Sequence, residues 1–211
     1  MRINGVKTRD RILTVAQDLI LENGYSGTSI DQIIENSAIT KGGFFYHFEG
    51  KRDLAKNLLI RFLDEDYQLS NELLKRAKSL SEDSLQQLLI FLNLMIEQAR
   101  ELPGGHPGCL VASYIYESQQ FDSEIHEIAR QGIQNWKMLI ELALRDAYEK
   151  HPTVLEVDLR EIADMLAAIY EGAIVLGKLA NDPNILCSQL SHYRTYIRFL
   201  FGDVESDRLL V

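Results

Sequence analysis

Apolar residues recur along this chain with the three-and-four spacing of helices, and no stretch alternates with the period of a strand. Ile12, Val15, Ala16, Leu19 and Ile20 mark one face of a first helix, predicted from about Thr8 to Asn23 and ended by Gly24. Thr28-Ser29-Ile30-Asp31 reads as the start of a second, short helix. The Thr28 hydroxyl is its expected cap, Asp31 sits at the capping-box position, and Ile30, Ile33 and Ile34 point inward. Residues 36–40 interrupt the pattern, and Thr40 is placed to cap a third short helix ending near Phe45. A longer helix begins near Gly50, carries Leu54, Leu58, Leu59, Phe62 and Leu63, and reaches about Lys78. Ser81 is the expected cap of the next, which runs through Leu85, Leu88, Leu92 and Met95.

Two prolines and three glycines between Leu102 and Gly108 forbid a continuous helix there. Helical spacing resumes from Cys109 to about Gln119, and again from Phe121-Asp122 to about Lys150. Asp158 opens a further helix, with Glu161 completing a capping box and Val157 and Ile162 placed as a hydrophobic staple. Asp182-Pro183 opens the last, with proline at the first helical position. The fold class is all-α: about nine helices, an N-terminal three-helix unit over residues 1–50 and a larger helical domain over 51–211.

Composition fits this picture. The 211 residues are 46% hydrophobic, enough for a sizeable core, with four prolines and no glycine- or serine-rich linker. No apolar run approaches the ~20 residues that cross a bilayer. Residues 1–7 lack the apolar stretch of a signal peptide, so the chain is expected in the cytoplasm, with no membrane partner. Its two cysteines, Cys109 and Cys187, are then thiols. The net charge of -9 argues against nucleic acid only until it is mapped. Residues 1–56 carry eight Lys and Arg against seven Asp and Glu, so the acidic excess lies entirely beyond them.

Residues 28–48, TSIDQIIENSAITKGGFFYHF, carry the function. Two short helices joined by a tight turn, with longer helices before and after, form a helix-turn-helix. The second is too short and too rich in glycine to be a useful core helix. Gly42 and Gly43 have no side chains to hold a backbone away from a DNA groove.

The ordered set Thr28, Ser29, Ile33, Thr40, Lys41, Gly42, Phe44, His47, Phe48 and Lys51 resembles the DNA-binding region of the TetR family of transcriptional regulators, over about residues 8–60. The resemblance implies that Thr28 and Ser29 cap the supporting helix and reach a phosphate. It implies that Thr40 and Lys41 contact backbone and base edges, and that Gly43 takes the variable base-facing position. Tyr46, His47 and Lys51 would grip phosphates, and Phe44 and Phe48 would anchor the core. Three positions depart from the family's pattern. Ala38 replaces a frequent turn glycine, Ile34 a small residue, and Phe45 a tyrosine whose hydroxyl would bond phosphate. Phe45 keeps only apolar contact with a thymine methyl or sugar. The basic tail from Arg2 to Arg11 is expected to act as an arm on the duplex.

The same resemblance implies operator DNA and a second copy of the chain as partners, a small-molecule inducer, and no cofactor or metal. The helices carrying Leu166, Tyr170, Ala173, Ile174 and Gly177, and Tyr193, Ile197 and Leu200, are the expected dimer interface. Phe62, Tyr67, Phe91, Met95, Cys109, Tyr114, Trp136 and Tyr170 are candidate lining for a largely apolar or aromatic inducer. The segment His106-Pro107-Gly108-Cys109-Leu110 is similar to one found in a subgroup of the family. It raises an alternative, a repressor that senses electrophiles or oxidants through Cys109. An enzyme finds no support: the five histidines are scattered, and there is no phosphate-cradling glycine loop or nucleophile elbow. A helical interaction protein that has lost DNA binding is the remaining rival.

Overall fold

A computed structural model describes residues 2–203, with the backbone alone for residues 2–4. Among the described residues there are nine α-helices, one short 3₁₀ turn and no strand. They are α1 (Arg2–Gly27), α2 (Ile30–Asn36), α3 (Lys41–His47), α4 (Lys51–Leu80), α5 (Ser84–Arg100), α6 (Leu110–Tyr116), α7 (Ser123–Lys150), α8 (Leu159–Ala180) and α9 (Ile185–Leu200). The 3₁₀ turn is Ser118–Gln120. No helix among these residues is long and apolar enough to cross a membrane.

The chain divides into two compact units. The first is Met1–Glu65 with Pro107–Ile133, and the second is Asp66–His106 with Gln134–Val211. The first therefore holds α1–α3, α6 and the opening parts of α4 and α7. The boundary expected at residue 50 falls inside it. The reason is packing: Leu54, Ala55, Leu58 and Leu59 of α4 share one core with Ile12, Leu13, Ile33, Phe44 and Phe48, and also with Leu110 and Tyr114 of α6. Burying such side chains contributes about 1.5–3 kcal/mol each, so α4 and α6 are part of what holds the helix-turn-helix together.

Several caps differ from expectation. The α2 cap is Ser29, whose side chain accepts from Gln32 N–H while the Gln32 side chain accepts from Ser29 N–H. Thr28 instead turns inward, 2% exposed, and its hydroxyl donates to Gly24 O at 2.9 Å. α5 is capped by Asp83, not Ser81; the Ser81 hydroxyl accepts from Asp83 N–H. α9 begins after Pro183, at Ile185, with no side-chain cap. Asp158 caps α8 as expected.

In the second unit α5, α8 and α9 pack on one another. Leu166, Ala173, Ile174, Tyr193, Ile197 and Leu200 are buried there, in the unit's own core rather than on an outer face. Tyr193 donates from its hydroxyl to Ile162 O at 2.9 Å, tying α9 to α8. Gly177 is close to the following turn: a Cβ there would lie 3.2 Å from Asp182 O. Apolar side chains left outside on these two helices are Val175, Leu176, Leu179 and Phe199.

Candidate nucleic-acid interface

The supporting helix α2 is seven residues long, and its buried side chain is Ile33. The turn after it passes through Ala38 with φ 50°, a left-handed conformation that glycine adopts without a Cβ penalty. The missing turn glycine thus leaves local strain, not a different turn. Thr40 then caps α3: its Oγ1 accepts from Gly43 N–H at 3.1 Å. The hydroxyl proton stays available to an outside acceptor.

Helix α3 is two-faced. Phe44 is buried and Phe48, just past its end, is 1% exposed, the two rings 5.8 Å apart. Lys41, Gly42, Phe45 and Tyr46 face outward, Phe45 at 47% and Tyr46 at 81% exposure. Large aromatics are not left this open by packing needs. His47 is half-buried, its ring edge-on to Tyr46 at 4.9 Å. A Cβ added at Gly42 meets nothing within 4 Å. No neighbour in the chain forbids a side chain at Gly42, and its small size leaves the backbone approachable from outside.

Lys51 sits further back than the motif suggests. Its ammonium donates to Tyr25 O and lies 4.1 Å from the Tyr25 ring centre. Burial pushes its pKa down, against the opposing pull of Glu117. Ser29 is exposed at the start of α2, its hydroxyl oxygen engaged by the capping box. Lys41, Gly42, Phe45 and Tyr46 therefore share one outward surface, while Thr28 and Lys51 brace it from within.

Residues beyond the motif position this surface. Arg9 donates to Asn57 Oδ1 at 2.6 Å and lies 5.3 Å from the Phe48 ring centre, so it joins α1 to α4. α1 is helical from Arg2, so Lys7 to Arg11 form a helix rather than a loose arm; the Arg2 side chain lies outside the described residues. Arg61 donates to Asp10 O, Thr14 Oγ1 and Gln17 Oε1 on α1. Arg52 pairs with Asp122, and Lys56 with Glu124. Sequence reading missed all of these, because each joins residues far apart in the chain.

Of the candidate inducer residues, Phe62, Cys109 and Tyr114 belong to the first unit, and Tyr67, Phe91, Met95, Trp136 and Tyr170 to the second. Tyr114 lies in the core of the first unit, where its hydroxyl donates to Ala55 O at 3.1 Å and burial raises its pKa. Cys109 is partly buried and is the N-cap of α6, its Sγ accepting from Ala112 N–H at 3.4 Å. In the second unit Trp136 donates to Ser70 Oγ at 2.9 Å and lies 6.5 Å from the Tyr170 ring. His106, which sequence reading passed over as a ligand-facing residue, stands edge-on to Tyr170 at 5.7 Å. Burial and then the Lys178 charge push its pKa down to about 4, so it is neutral at pH 7. Phe91 and Met95 are buried on α5 and Tyr67 is exposed.

Comparison with known proteins decides the family. Residues 12–58 match the model of bacterial regulatory proteins of the tetR family, and residues 84–192 match the tetracyclin repressor-like C-terminal domain. The chain belongs to the TetR family. Among curated relatives, the HTH-type transcriptional repressor NemR of Escherichia coli is 22% identical over 190 residues, covering 90% of this chain and 94% of the relative. The reduced-form crystal structure of that protein superposes with a TM-score of 0.73, covering 90% of this chain and 96% of that one. A TetR regulator from Chloroflexus aurantiacus, 26% identical, superposes at 0.75 over 93% and 96%. This regulator is thus a DNA-binding transcription factor, not an enzyme.

Proposed function

We propose that the regulator is a homodimeric repressor that leaves its operator when Cys109 is modified by an electrophile or oxidant. The observation that carries this reading is the position of Cys109. It caps the first turn of α6, and α6 packs on α1 within the DNA-reading unit itself. Its sulfur accepts the Ala112 N–H at 3.4 Å, so the thiol itself closes the first turn of α6. Modification at Cys109 would disturb this cap. Tyr114, one turn on, is stacked at 4.4 Å on Phe121 and bonded to Ala55 O, so a shifted α6 would disturb the core beneath α1 and α4. The Escherichia coli relative is named a repressor and has been crystallised in a form called reduced, which fits a redox-responsive reading.

The chemistry is simple. With an α,β-unsaturated carbonyl, the Cys109 thiol loses its proton to solvent and its sulfur bonds to the β-carbon. The electron pair passes to the carbonyl oxygen, and water returns a proton to give the adduct. With hydrogen peroxide, sulfur attacks one oxygen, the O–O bond breaks, and the departing hydroxide takes up a proton, leaving sulfenic acid and water. Cys187 is buried on α9, its thiol aimed at Ile96 O, and is not part of this response.

Two copies would meet through the outer faces of α8 and α9. Gly172, Val175, Leu176 and Leu179 form a stripe at helical spacing on α8, with His192, Thr195 and Phe199 along α9. A symmetric pair supplies the two reading heads that operator half-sites need.

The decisive experiment treats wild type, Cys109→Ser and Cys187→Ser with N-ethylmaleimide and follows release of a selected operator duplex. Wild type and Cys187→Ser are expected to release it, and Cys109→Ser to keep it. Equal release from Cys109→Ser contradicts the thiol reading. A second reading, release by a small aromatic inducer, rests on the Trp136, Tyr170, His106 and Ser70 group. It is favoured if Trp136 fluorescence and operator release titrate together with one added aromatic compound in Cys109→Ser.

A further inference from the structure

We propose that Glu117, the residue that ends α6, is a positioning residue for operator binding: its carboxylate holds the corner between α1 and α2 in the shape that presents the reading surface. The corner is unusual. α1 breaks at Gly24 (φ 78°, ψ 164°), so the N–H groups of Tyr25 and Ser26 turn away from the regular helical ladder. Both are taken by one side chain from ninety residues away. Tyr25 N–H donates to Glu117 Oε1 at 2.6 Å, and Ser26 N–H donates to Oε2 at 2.8 Å. Charge-assisted bonds to two successive amides fix direction as well as distance.

The surroundings are built around this fork. A Cβ at Gly24 would come within 2.8 Å of Glu117 Oε1, so any other residue there would push the carboxylate out of this position, besides straining the positive φ. The Tyr25 carbonyl accepts from Lys51, and Thr28 N–H also donates to it, at 3.3 Å. The Gly24 carbonyl accepts from the Thr28 hydroxyl. The Tyr25 ring packs on Phe121 at 4.5 Å and on Tyr114 at 6.0 Å. Thr28 is followed at once by Ser29, the cap of α2. Tyr25 and Ser26 are thus bonded to the Glu117 carboxylate directly, and Thr28 and Lys51 are tied to it through the Tyr25 peptide. Burial alone would raise its pKa. Hydrogen bonds from Ser26 and Tyr25, with the Lys51 charge, outweigh that and hold the carboxyl below the usual range, so it is charged at neutral pH.

The proposal gives a sign that simple charge does not. Removing a negative charge near a DNA-reading surface should tighten binding if electrostatics alone counts. If Glu117 positions the corner, removing it must weaken binding instead. The test compares wild type, Glu117→Ala and Glu117→Gln on an operator duplex selected from random DNA by the wild-type protein. Amide exchange at Tyr25, Ser26 and the α9 core is followed in parallel. Glu117→Ala is expected to lose at least tenfold in affinity, with faster exchange at Tyr25 and Ser26 and unchanged protection in α9. Glu117→Gln, which keeps the shape and one acceptor, should fall between. Should Glu117→Ala fail to fold, Glu117→Gln decides: weaker binding supports the role. Unchanged or tighter binding by the folded variants overturns it. A wild-type protein that selects no duplex overturns the operator reading itself, and Glu117's role with it.

Discussion

Two parts of the DNA-reading unit contrast sharply: the outer face of α3 and the α1–α2 corner behind it. The α3 face is local, exposed and thinly furnished, with Gly42 open to solvent and Tyr46 standing out from the surface. The corner is dense and assembled from distant pieces of chain: Gly24 and Tyr25, Lys51, Tyr114, and Glu117. The lesson is a division of labour. On the proposed reading, the outer face supplies contacts that matter only when DNA is present, whereas the corner supplies order that matters at all times. Substitutions on the face should therefore change affinity alone, and substitutions in the corner should change stability as well.

The largest effect expected on affinity alone is at Gly42. A Cβ at Gly42 meets nothing within 4 Å, so Gly42→Leu should not lower the melting temperature, while bulk at the approach surface should cut operator affinity by about a hundredfold. Full affinity would show that the backbone at Gly42 does not come close to DNA. Lys41→Ala comes next, with a loss of about 1–3 kcal/mol in binding if the lysine reads base edges. Titration across several duplex variants would show whether that loss depends on sequence. In the corner, Tyr114→Phe removes the hydroxyl bond to Ala55 O and should lower unfolding free energy by about 1 kcal/mol. Denaturant melts check this, and an unchanged midpoint would mean the bond contributes nothing.

Acid should expose the corner too. Glu117 has its pKa lowered in the folded state, so its stabilising contribution is complete above the ordinary glutamate range and is lost only as pH falls through the lowered value. Lys51, Arg52 and Tyr25 are the other titratable groups facing this corner. Amide exchange at Tyr25 and Ser26 should stay slow from neutral pH down to the ordinary carboxylate range and then quicken relative to Glu117→Gln. The smallest effect is at Ala38. Ala38→Gly relieves a left-handed alanine and should add no more than about 1 kcal/mol, since glycine's extra freedom in the unfolded chain offsets part of the gain. A loss of stability there would show that the turn is not strained.

The same contrast explains what could be read in advance. Helix periodicity, the Thr40 cap and the ordered motif around Lys41 are local, and the helices and the family follow from them. Ser29 rather than Thr28 as the α2 cap was a matter of one residue, decided by Thr28 turning in toward Gly24 O. Glu117 carries no local signal at all, because its partners lie at Tyr25 and Ser26. The apolar stripe on α8 and α9 was visible, but a stripe does not say which neighbour covers it. Leu166 and Tyr193 turned out to face the chain's own core, leaving Leu176, Leu179 and Phe199 outside. Tyr114 shows the same limit, since it was chosen by residue type while its place was set by Phe121 and Ala55.

The proposed repressor binds its operator through a head positioned from behind by Glu117 and leaves when Cys109 is modified. The most direct test is a salt titration of binding to a duplex selected from random DNA, before and after N-ethylmaleimide. The account predicts two protomers per duplex and affinity falling steeply and linearly in log salt. It also predicts that treated wild type loses that binding while treated Cys109→Ser retains it. Binding insensitive to salt, or equal loss in both proteins after treatment, would contradict it.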